Sequence, residues 1–405
     1  MKMIILVFLL LLLPGLYIWW HFLRDSHWAV QAAVFVPWLA VVTLMTLMRT
    51  SLVQDWMFRW AMIVMLCCIM PMVLFMLLSC LGWALKFFVP GTWRVMNGVG
   101  IVMAAAVVCI IGYGIGIGWK KLVVTEVELS FKDLPAGFDG YRIVQLSDFH
   151  IGTYQPAPEC VTRIVEQVNA LNADMVCFTG DLVNSTPEEL NPFMADLRKM
   201  KAKDGIFSIM GNHDYCMYRQ YAKPSDRLTT VRDLQQRQRS LGWDMLLNEH
   251  RIIHHNGDSL MLVGVENSSK PPFPDYGDLK KAMAYKAERN EANQQITSAP
   301  AFSILLSHDP THWQRKVLPE TGIQLQLSGH THSTQFRLFG WSPAAFTYKE
   351  YAGLYEMLPD GRELFNPETS SPAARKLYVS TGTGGNVSFR FGVWPEIVVI
   401  TLRKG

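Results

Sequence analysis

Four long apolar runs dominate the first 119 residues of the chain, and none of them contains Asp, Glu, Lys or Arg. They cover residues 3–20, 28–48, 60–85 and 95–119. A helix of about twenty apolar residues, rising about 1.5 Å per residue, crosses the roughly 30 Å hydrocarbon layer of a bilayer. The pattern therefore predicts a transmembrane region of four helices within residues 1–119.

The first run also has features of a cleaved signal peptide. A signal peptide ends in small residues at its cleavage site. The segment that follows Pro14 and Gly15 instead carries the bulky side chains of Tyr17, Trp19 and Trp20. We therefore interpret the first run as a retained membrane helix.

Near Lys120 the pattern changes to short apolar strands that alternate with helices. Strands are predicted at residues 122–129, 142–146, 175–179 and 205–210, with helices at 160–172 and 187–199. The second half is richer in strands, which are predicted at 259–265, 302–306, 324–327, 376–380 and 397–402. Strands that alternate with helices form sheets with right-handed crossovers. Residues 120–405 are therefore predicted to form an α/β domain.

Two polar stretches, 268–300 and 358–375, interrupt the second group of strands. The first contains a predicted helix at 279–293 that is bracketed by prolines. Long insertions between core strands lie on the surface, and near a site they often act as lids or substrate-selecting loops. The sequence leaves open whether residues 268–300 form such a loop or a passive excursion.

Charge separates the two parts of the chain. Of 37 basic and 34 acidic residues, six basic and two acidic ones precede residue 120, which leaves 31 basic and 32 acidic residues for the rest. Domains that bind nucleic acid usually carry a clear basic excess. A nucleic-acid partner is therefore not expected.

The distribution of basic residues and cysteines favours a cytoplasmic orientation. With the N-terminus inside, five basic residues face the cytoplasm and three face outward. The inner set is Lys2, Arg49, Arg59, Lys120 and Lys121, and the outer set is Arg24, Lys86 and Arg94. Residues 120–405 contain only Cys160, Cys177 and Cys216, an odd number that does not suggest a disulfide framework.

Five polar clusters follow predicted strands at the points where the strands end. They are Asp148-Phe149-His150, Gly180-Asp181, Gly211-Asn212-His213-Asp214, His308, and Gly329-His330-Thr331-His332. In an open α/β sheet the loops at the carboxyl ends of the strands converge on one crevice. We therefore expect these side chains to lie together.

The side chains in these clusters are of the types that bind divalent metals. Carboxylates, an amide and imidazoles suit Mn²⁺, Fe or Zn²⁺, and the absence of cysteine argues against a structural zinc site. Seven candidate ligands exceed the needs of one ion. Two ions that share a carboxylate fit better, and paired metals clamp the attacking and leaving oxygens of a displacement at phosphorus.

In their order and residue types, the five clusters resemble the calcineurin-like metallophosphoesterase superfamily over residues 140–402. The resemblance implies a β-sandwich flanked by helices and two bound metal ions. It assigns Asp148, His150 and His332 to the first metal, Asn212, His308 and His330 to the second, and Asp181 to a bridge between them.

The same resemblance implies catalytic roles for His213 and Asp214. His213 matches the residue that contacts the phosphate and acts as general acid. Asp214 is expected to orient the His213 ring by accepting its other proton. The side chains of both residues are therefore candidate catalytic groups.

The membrane helices and the segments 377–380 and 391–396 resemble the bacterial membrane-associated branch of the superfamily. That branch often has Arg-Gly after the Val-Ser pair, whereas Thr381 to Gly385 follow it here. A contact to the substrate phosphate is then expected from elsewhere, and Arg390 is the candidate. The resemblance places the chain in a bacterial inner membrane.

These patterns predict hydrolysis of a phosphodiester or pyrophosphate in a lipid or lipid precursor, with the bilayer as a partner. The apolar runs lack ionisable residues, which favours anchoring over ion transport. A phosphoprotein phosphatase is the alternative among enzymes. A membrane scaffold that binds metal without turnover is the alternative among other classes.

Overall fold

The computed structural model describes residues 11–47, 55–285, 288–289, 295–296 and 299–405. The chain divides into two compact units. The first, here called the N-terminal unit, contains residues 1–118 and 387–391. The second, here called the sandwich unit, contains residues 119–386 and 392–405.

Among the described residues of the N-terminal unit, three helices are long and apolar enough to cross a membrane. They are Trp28–Leu47, Trp60–Leu85 and Thr92–Lys120. A shorter apolar helix, Leu11–Leu23, precedes them. The predicted first span at 3–20 lies partly outside the described residues, so the described part of the chain has three spans of membrane length where four are predicted.

A few polar side chains around the buried Ser79 link the helices of the N-terminal unit. The Tyr17 hydroxyl donates to Ser79 Oγ over 2.8 Å, and Ser79 Oγ donates to Asn97 Oδ1 over 2.5 Å. Gly82 lies so close to Met96 that a Cβ atom there would collide with its side chain. Small residues and hydrogen-bonded polar groups are the usual means of helix association in lipid.

The described residues of the sandwich unit contain fifteen strands. In chain order they are β1 Val123–Phe131, β2 Arg142–Leu146, β3 Met175–Phe178, β4 Gly205–Ser208, β5 Asp244–Met245, β6 Glu249–His255, β7 Asp258–Gly264, β8 Glu288–Arg289, β9 Gln295–Ile296, β10 Ser303–Leu306, β11 Leu325–Ser328, β12 Gly353–Met357, β13 Glu363–Phe365, β14 Arg375–Val379 and β15 Glu396–Lys404.

Two large sheets contain thirteen of these strands. The first has the order β1-β15-β2-β3-β4-β5, and the second has the order β13-β12-β14-β11-β10-β7-β6. Strands β2 to β5 run parallel, as do β7, β10, β11 and β14. Each sheet also has antiparallel pairs, such as β15 with β2 and β6 with β7. The predicted α/β fold is thus confirmed, with two sheets.

The core between the two sheets is apolar. Ile143 and Val398 of the first sheet share one buried cluster with Leu262, Ile304 and Leu327 of the second. Burying each such side chain contributes about 1.5–3 kcal/mol relative to leaving it exposed. Helices Glu159–Ala170 and Pro224–Ser240 cover the outer face of the first sheet, and the helical segment Trp313–Val317 packs on the second.

Two helix predictions are wrong. The predicted helix at 187–199 is two short pieces, Pro187–Leu190 and Met194–Leu197, because Pro192 lies between them and cannot donate a helical hydrogen bond. The predicted helix at 279–293 ends at Ala282, and its residues 286–287 and 290–293 lie outside the described residues.

Candidate active site

The five polar clusters meet where the carboxyl ends of parallel strands from both sheets come together. Within the first sheet, Asp148 N–H donates to the Gly180 carbonyl over 2.8 Å. Within the second, Gly329 N–H donates to the His308 carbonyl over 2.9 Å. In each sheet, a backbone hydrogen bond thus holds two neighbouring ligand-bearing loops together.

The imidazole and carboxylate atoms of these loops form three overlapping groups. Atoms within 4.8 Å of one another belong to Asp148, His150 and His332, to His150, Asp181 and His213, and to Asp181, His308 and His330. His332 Nε2 lies 3.3 Å from Asp148 Oδ1, and His308 Nε2 lies 3.1 Å from Asp181 Oδ2. Asp181 belongs to two of the groups and lies between the ligand sets predicted for the two ions.

The backbone of the cluster is strained. Five of the seven predicted ligands have positive φ: Asp148, His150, Asp181, His330 and His332. Such conformations cost on the order of 1–3 kcal/mol for residues other than glycine, and they persist where the surrounding structure enforces them. The fold therefore stores strain in order to aim these side chains at one point.

Glycine is required at two points of close approach. A Cβ atom on Gly211 would collide with the Asp181 carboxylate, and one on Gly329 would collide with Ser147 Oγ and the Asp148 carboxylate. The backbone can therefore pass this close to the carboxylates because glycine has no Cβ atom at either position.

Asn212 has a buried acceptor that suits a cation. Its Nδ2 donates to the Tyr218 hydroxyl over 2.8 Å. Its Oδ1 is buried and has no hydrogen-bond partner among the described residues. A buried amide oxygen without a partner is costly, and a bound cation would remove that cost. Asn212 therefore fits the predicted metal site.

The pKa values also indicate a site for cations. Burial by itself would lower the pKa of His308, but the Asp181 and Asp148 carboxylates raise it to about 10. Burial raises the pKa of Asp148 to about 6. Burial likewise lowers the pKa of His330 to about 4, so its ring is neutral at pH 7, as a metal ligand must be. The negative field that favours a proton on His308 also favours divalent ions.

The predicted hydrogen bond between the His213 ring and Asp214 is wrong. His213 Nδ1 lies 2.6 Å from the Asn184 carbonyl oxygen. The buried Asp214 carboxylate instead accepts backbone N–H groups from Asp181, Leu182 and Gly211, each over 2.9 Å. Asp214 therefore organises the loops that carry Asp181 and Asn212.

A cavity of about 210 Å³ lies over the cluster. Its lining includes residues that the sequence analysis missed, namely Phe273, Tyr348 and Asn386. The Tyr348 hydroxyl lies 3.0 Å from His330 Nε2, and the Phe273 ring packs edge-on against the His330 ring at 4.8 Å. Phe273 comes from the 268–300 stretch, so part of that insertion lines the site.

Arg390 does not line this cavity. It is buried and belongs to residues 387–391 of the N-terminal unit. Its role in substrate binding stays a prediction. The segment that replaces the Arg-Gly pair binds the backbone of the loop that carries Asp148. Thr383 N–H donates to the Ser147 carbonyl over 2.8 Å, and Gly384 N–H donates to the Asp148 carbonyl over 2.9 Å.

The chain is similar to a known protein family and to several known proteins. Residues 141–334 match the family described as calcineurin-like phosphoesterase. A transmembrane protein with metallophosphoesterase domain from Danio rerio is 29% identical over 72% of this chain, which covers 60% of that protein. The uncharacterized metallophosphoesterase YkuE of Bacillus subtilis is 27% identical over 75% of this chain and 94% of its own length.

A third relative has a named reaction. The UDP-2,3-diacylglucosamine pyrophosphatase LpxG of Chlamydia trachomatis is 28% identical over 69% of this chain and 88% of its own length.

Proposed function

We propose, on the premise that residues 141–334 belong to the calcineurin-like phosphoesterase family, that this chain is a membrane-anchored phosphoesterase that uses two metal ions. Its proposed reaction is hydrolysis of a phosphodiester or pyrophosphate in a lipid or lipid precursor. The observation that carries the proposal is the set of three overlapping ligand groups in which Asp181 occurs twice.

The ligands divide between two ions in this proposal. Asp148, His150 and His332 would hold one divalent ion of Mn, Fe or Zn, Asn212, His308 and His330 would hold the other, and Asp181 would be shared between the two sets. When bound, such a pair supplies Lewis acidity that activates water and neutralises phosphoryl charge.

His213 is the proposed proton donor to the leaving oxygen. The Asn184 carbonyl, 2.6 Å from Nδ1, can only accept, so Nδ1 carries a proton. The proton for the leaving oxygen then comes from Nε2 of the doubly protonated ring, which becomes the neutral Nδ1–H form after the transfer. The backbone N–H of His213 also donates to Asp181 Oδ1 over 2.8 Å, which fixes the position of His213 beside the predicted ligands. General acid catalysis of this kind contributes about 10²–10⁴-fold. Asp214 acts as a positioning residue through the Asp181 and Asn212 loops.

A lipid substrate is supported by two independent observations. The described part of the chain contains three helices of membrane length. The relative LpxG is a pyrophosphatase of UDP-2,3-diacylglucosamine. Both are consistent with an active site that works beside a bilayer, and the cytoplasmic side of a bacterial inner membrane is the proposed location.

The test is turnover by the full chain in detergent with Mn²⁺. We expect hydrolysis of bis-p-nitrophenyl phosphate to exceed that of p-nitrophenyl phosphate and to disappear in Asp181→Ala. Preference for a phosphopeptide over the diester would support the phosphatase alternative. Absence of turnover of every compound by metal-loaded protein would support the scaffold.

A further inference from the structure

An exposed group of large apolar side chains follows the last predicted ligand, His332. Residues 336–348, here called the aromatic hairpin, display Phe339 at 99% exposure, Phe346 at 83%, Trp341 at 46% and Leu338 at 37%. Apolar side chains clustered at a surface usually mark a contact with another molecule or with a membrane.

The turn of the aromatic hairpin places a bulky residue, Phe339, in a backbone conformation that it disfavours. Leu338 and Trp341 exchange two backbone hydrogen bonds of 2.9 and 3.0 Å, which leaves Phe339 and Gly340 as the two turn residues. Both have positive φ, as in the type I′ turn, where Asn-Gly is preferred. A bulky residue in this conformation costs on the order of 1–3 kcal/mol. Folding alone therefore does not account for a fully exposed phenylalanine at this position.

The base of the aromatic hairpin is ordered. Ser342 is buried, its Oγ donates to the Ser333 carbonyl over 2.6 Å, and it accepts the N–H of Ala344 over 3.2 Å. Trp341 packs edge-on against Phe346 at 5.5 Å. The aromatic side chains are thus presented by a defined scaffold.

The charge of the aromatic hairpin suits a bilayer surface. It contains Arg337 but no Asp or Glu. Tryptophan and phenylalanine next to basic groups are typical of segments that insert at the level of lipid headgroups. Three helices of membrane length occur among the described residues of the same chain. If they span a bilayer, that bilayer is linked to the sandwich unit by the chain and is present at a high effective concentration.

We propose that the aromatic hairpin inserts into the interfacial layer of a lipid bilayer, with Phe339 and Phe346 as its main anchors. The aromatic hairpin begins four residues after His332 and ends at Tyr348, whose hydroxyl contacts His330. Insertion therefore holds the ligand cluster close to the headgroups. Its use in substrate access rests on the proposed function, whereas the insertion itself does not.

The insertion is tested with a fluorescent label in lipid nanodiscs. Ala345 is exposed between the anchors, and Ala345→Cys carries an environment-sensitive dye in a full-length chain whose Cys67, Cys68, Cys80 and Cys109 are replaced by Ala. The matched control is Ser240→Cys, at an exposed helix end of the same unit. We expect lipids with a doxyl quencher to quench the dye at 345 and not at 240.

A second variant separates the anchors from the label. In Phe339→Asn with Phe346→Ser the turn keeps a residue that favours positive φ, so the fold is retained. We expect loss of doxyl quenching at 345, gain of quenching by aqueous iodide, and unchanged turnover of bis-p-nitrophenyl phosphate. If the diester is not a substrate, pulse proteolysis confirms the fold in its place.

Two results would overturn the proposal. Equal access of iodide to the dye at 345 and at 240 in nanodiscs would show that the aromatic hairpin stays in water. Protection from iodide without doxyl quenching would show that a protein surface, such as a second copy of the chain, covers the hairpin.

Discussion

The backbone N–H of His330 donates to both oxygens of the Asp148 carboxylate, over 3.1 and 3.0 Å. Asp148 follows a strand of the first sheet and His330 follows a strand of the second. This pair therefore fixes the distance between the two halves of the ligand cluster. Any change that separates the pair is expected to affect metal binding before it affects the hydrophobic core.

Gly329→Ala tests this relationship. The added Cβ would collide with Ser147 Oγ and the Asp148 carboxylate, so the His330 loop must move. We expect a loss of stability of about 1–3 kcal/mol and a sharp fall in turnover. The measurement is thermal unfolding of the full chain in detergent, together with bis-p-nitrophenyl phosphate hydrolysis.

The matched control is Gly322→Ala. No atom lies within 4 Å of the added Cβ there. Replacing glycine at a compatible position stabilises by about 0.4–1 kcal/mol through the unfolded chain. Similar losses in both variants would mean that the Asp148 and His330 pairing is not the cause.

Asn212→Leu is expected to separate stability from function. Asn212 Oδ1 is buried without a partner among the described residues, so leucine removes an unsatisfied acceptor. The hydrogen bond that is lost, from Nδ2 to the Tyr218 hydroxyl, contributes about 0.5–1.5 kcal/mol. Without metal, the variant should therefore unfold within about 1 kcal/mol of the parent chain. With Mn²⁺ it should lose most of the metal-induced rise in melting temperature, and diester turnover should fall by about 10²-fold.

The control for this experiment is Tyr218→Phe, which removes the hydroxyl that Asn212 Nδ2 contacts. It keeps the amide oxygen and should keep most of the metal-induced stabilisation. If Tyr218→Phe reproduced the Asn212→Leu result, the hydrogen bond rather than the oxygen would be responsible.

The sequence predicts the strands and the ligand set because both have short-range patterns. Strand β2 at Arg142–Leu146 is predicted to the residue, and the ligands stand directly after strand ends. Helix Pro224–Ser240 was missed because only Val231, Leu234 and Gln238 of its seventeen residues are buried, which leaves a weak apolar period.

The cavity-lining residues outside the five polar clusters could not be found in the same way. Phe273 and Tyr348 lie in loops whose position depends on contacts far along the chain, and no periodicity encodes that position. The role of Asp214 was mistaken for a similar reason. His213 is adjacent to Asp214 in the sequence, but the Asp214 carboxylate accepts hydrogen bonds mostly from backbone N–H groups about thirty positions earlier.

Asp214→Asn distinguishes the two roles of this residue. An amide offers one acceptor and one donor where the structure has only N–H donors, so we expect destabilisation of about 1–3 kcal/mol and weaker metal binding. The pH profile of kcat/KM in saturating metal should keep its shape, since Asp214 does not contact the His213 ring. A shifted limb of that profile would restore the role predicted from the sequence.

His312 is expected to make the sandwich unit sensitive to acid. The ring is fully buried, and burial together with Lys316 and Arg315 lowers the pKa of His312 to about 3. The unfolded chain binds this proton below about pH 6.5, whereas the native state does not until about pH 3. Protons therefore favour the unfolded state across that window, and the free energy of unfolding declines as pH falls from 6.5.

At pH 5.0 this group should cost about 2 kcal/mol relative to pH 7.5. His312→Asn removes the titration, and its amide can still contact Ser307 Oγ, which lies 2.9 Å from His312 Nδ1. Other groups titrate in the same range, so the informative quantity is the difference between the two chains, measured by pulse proteolysis in urea at both pH values. The variant should lose about 2 kcal/mol less than the parent chain. Equal losses would mean that the native state admits the proton or that the ring is already solvated.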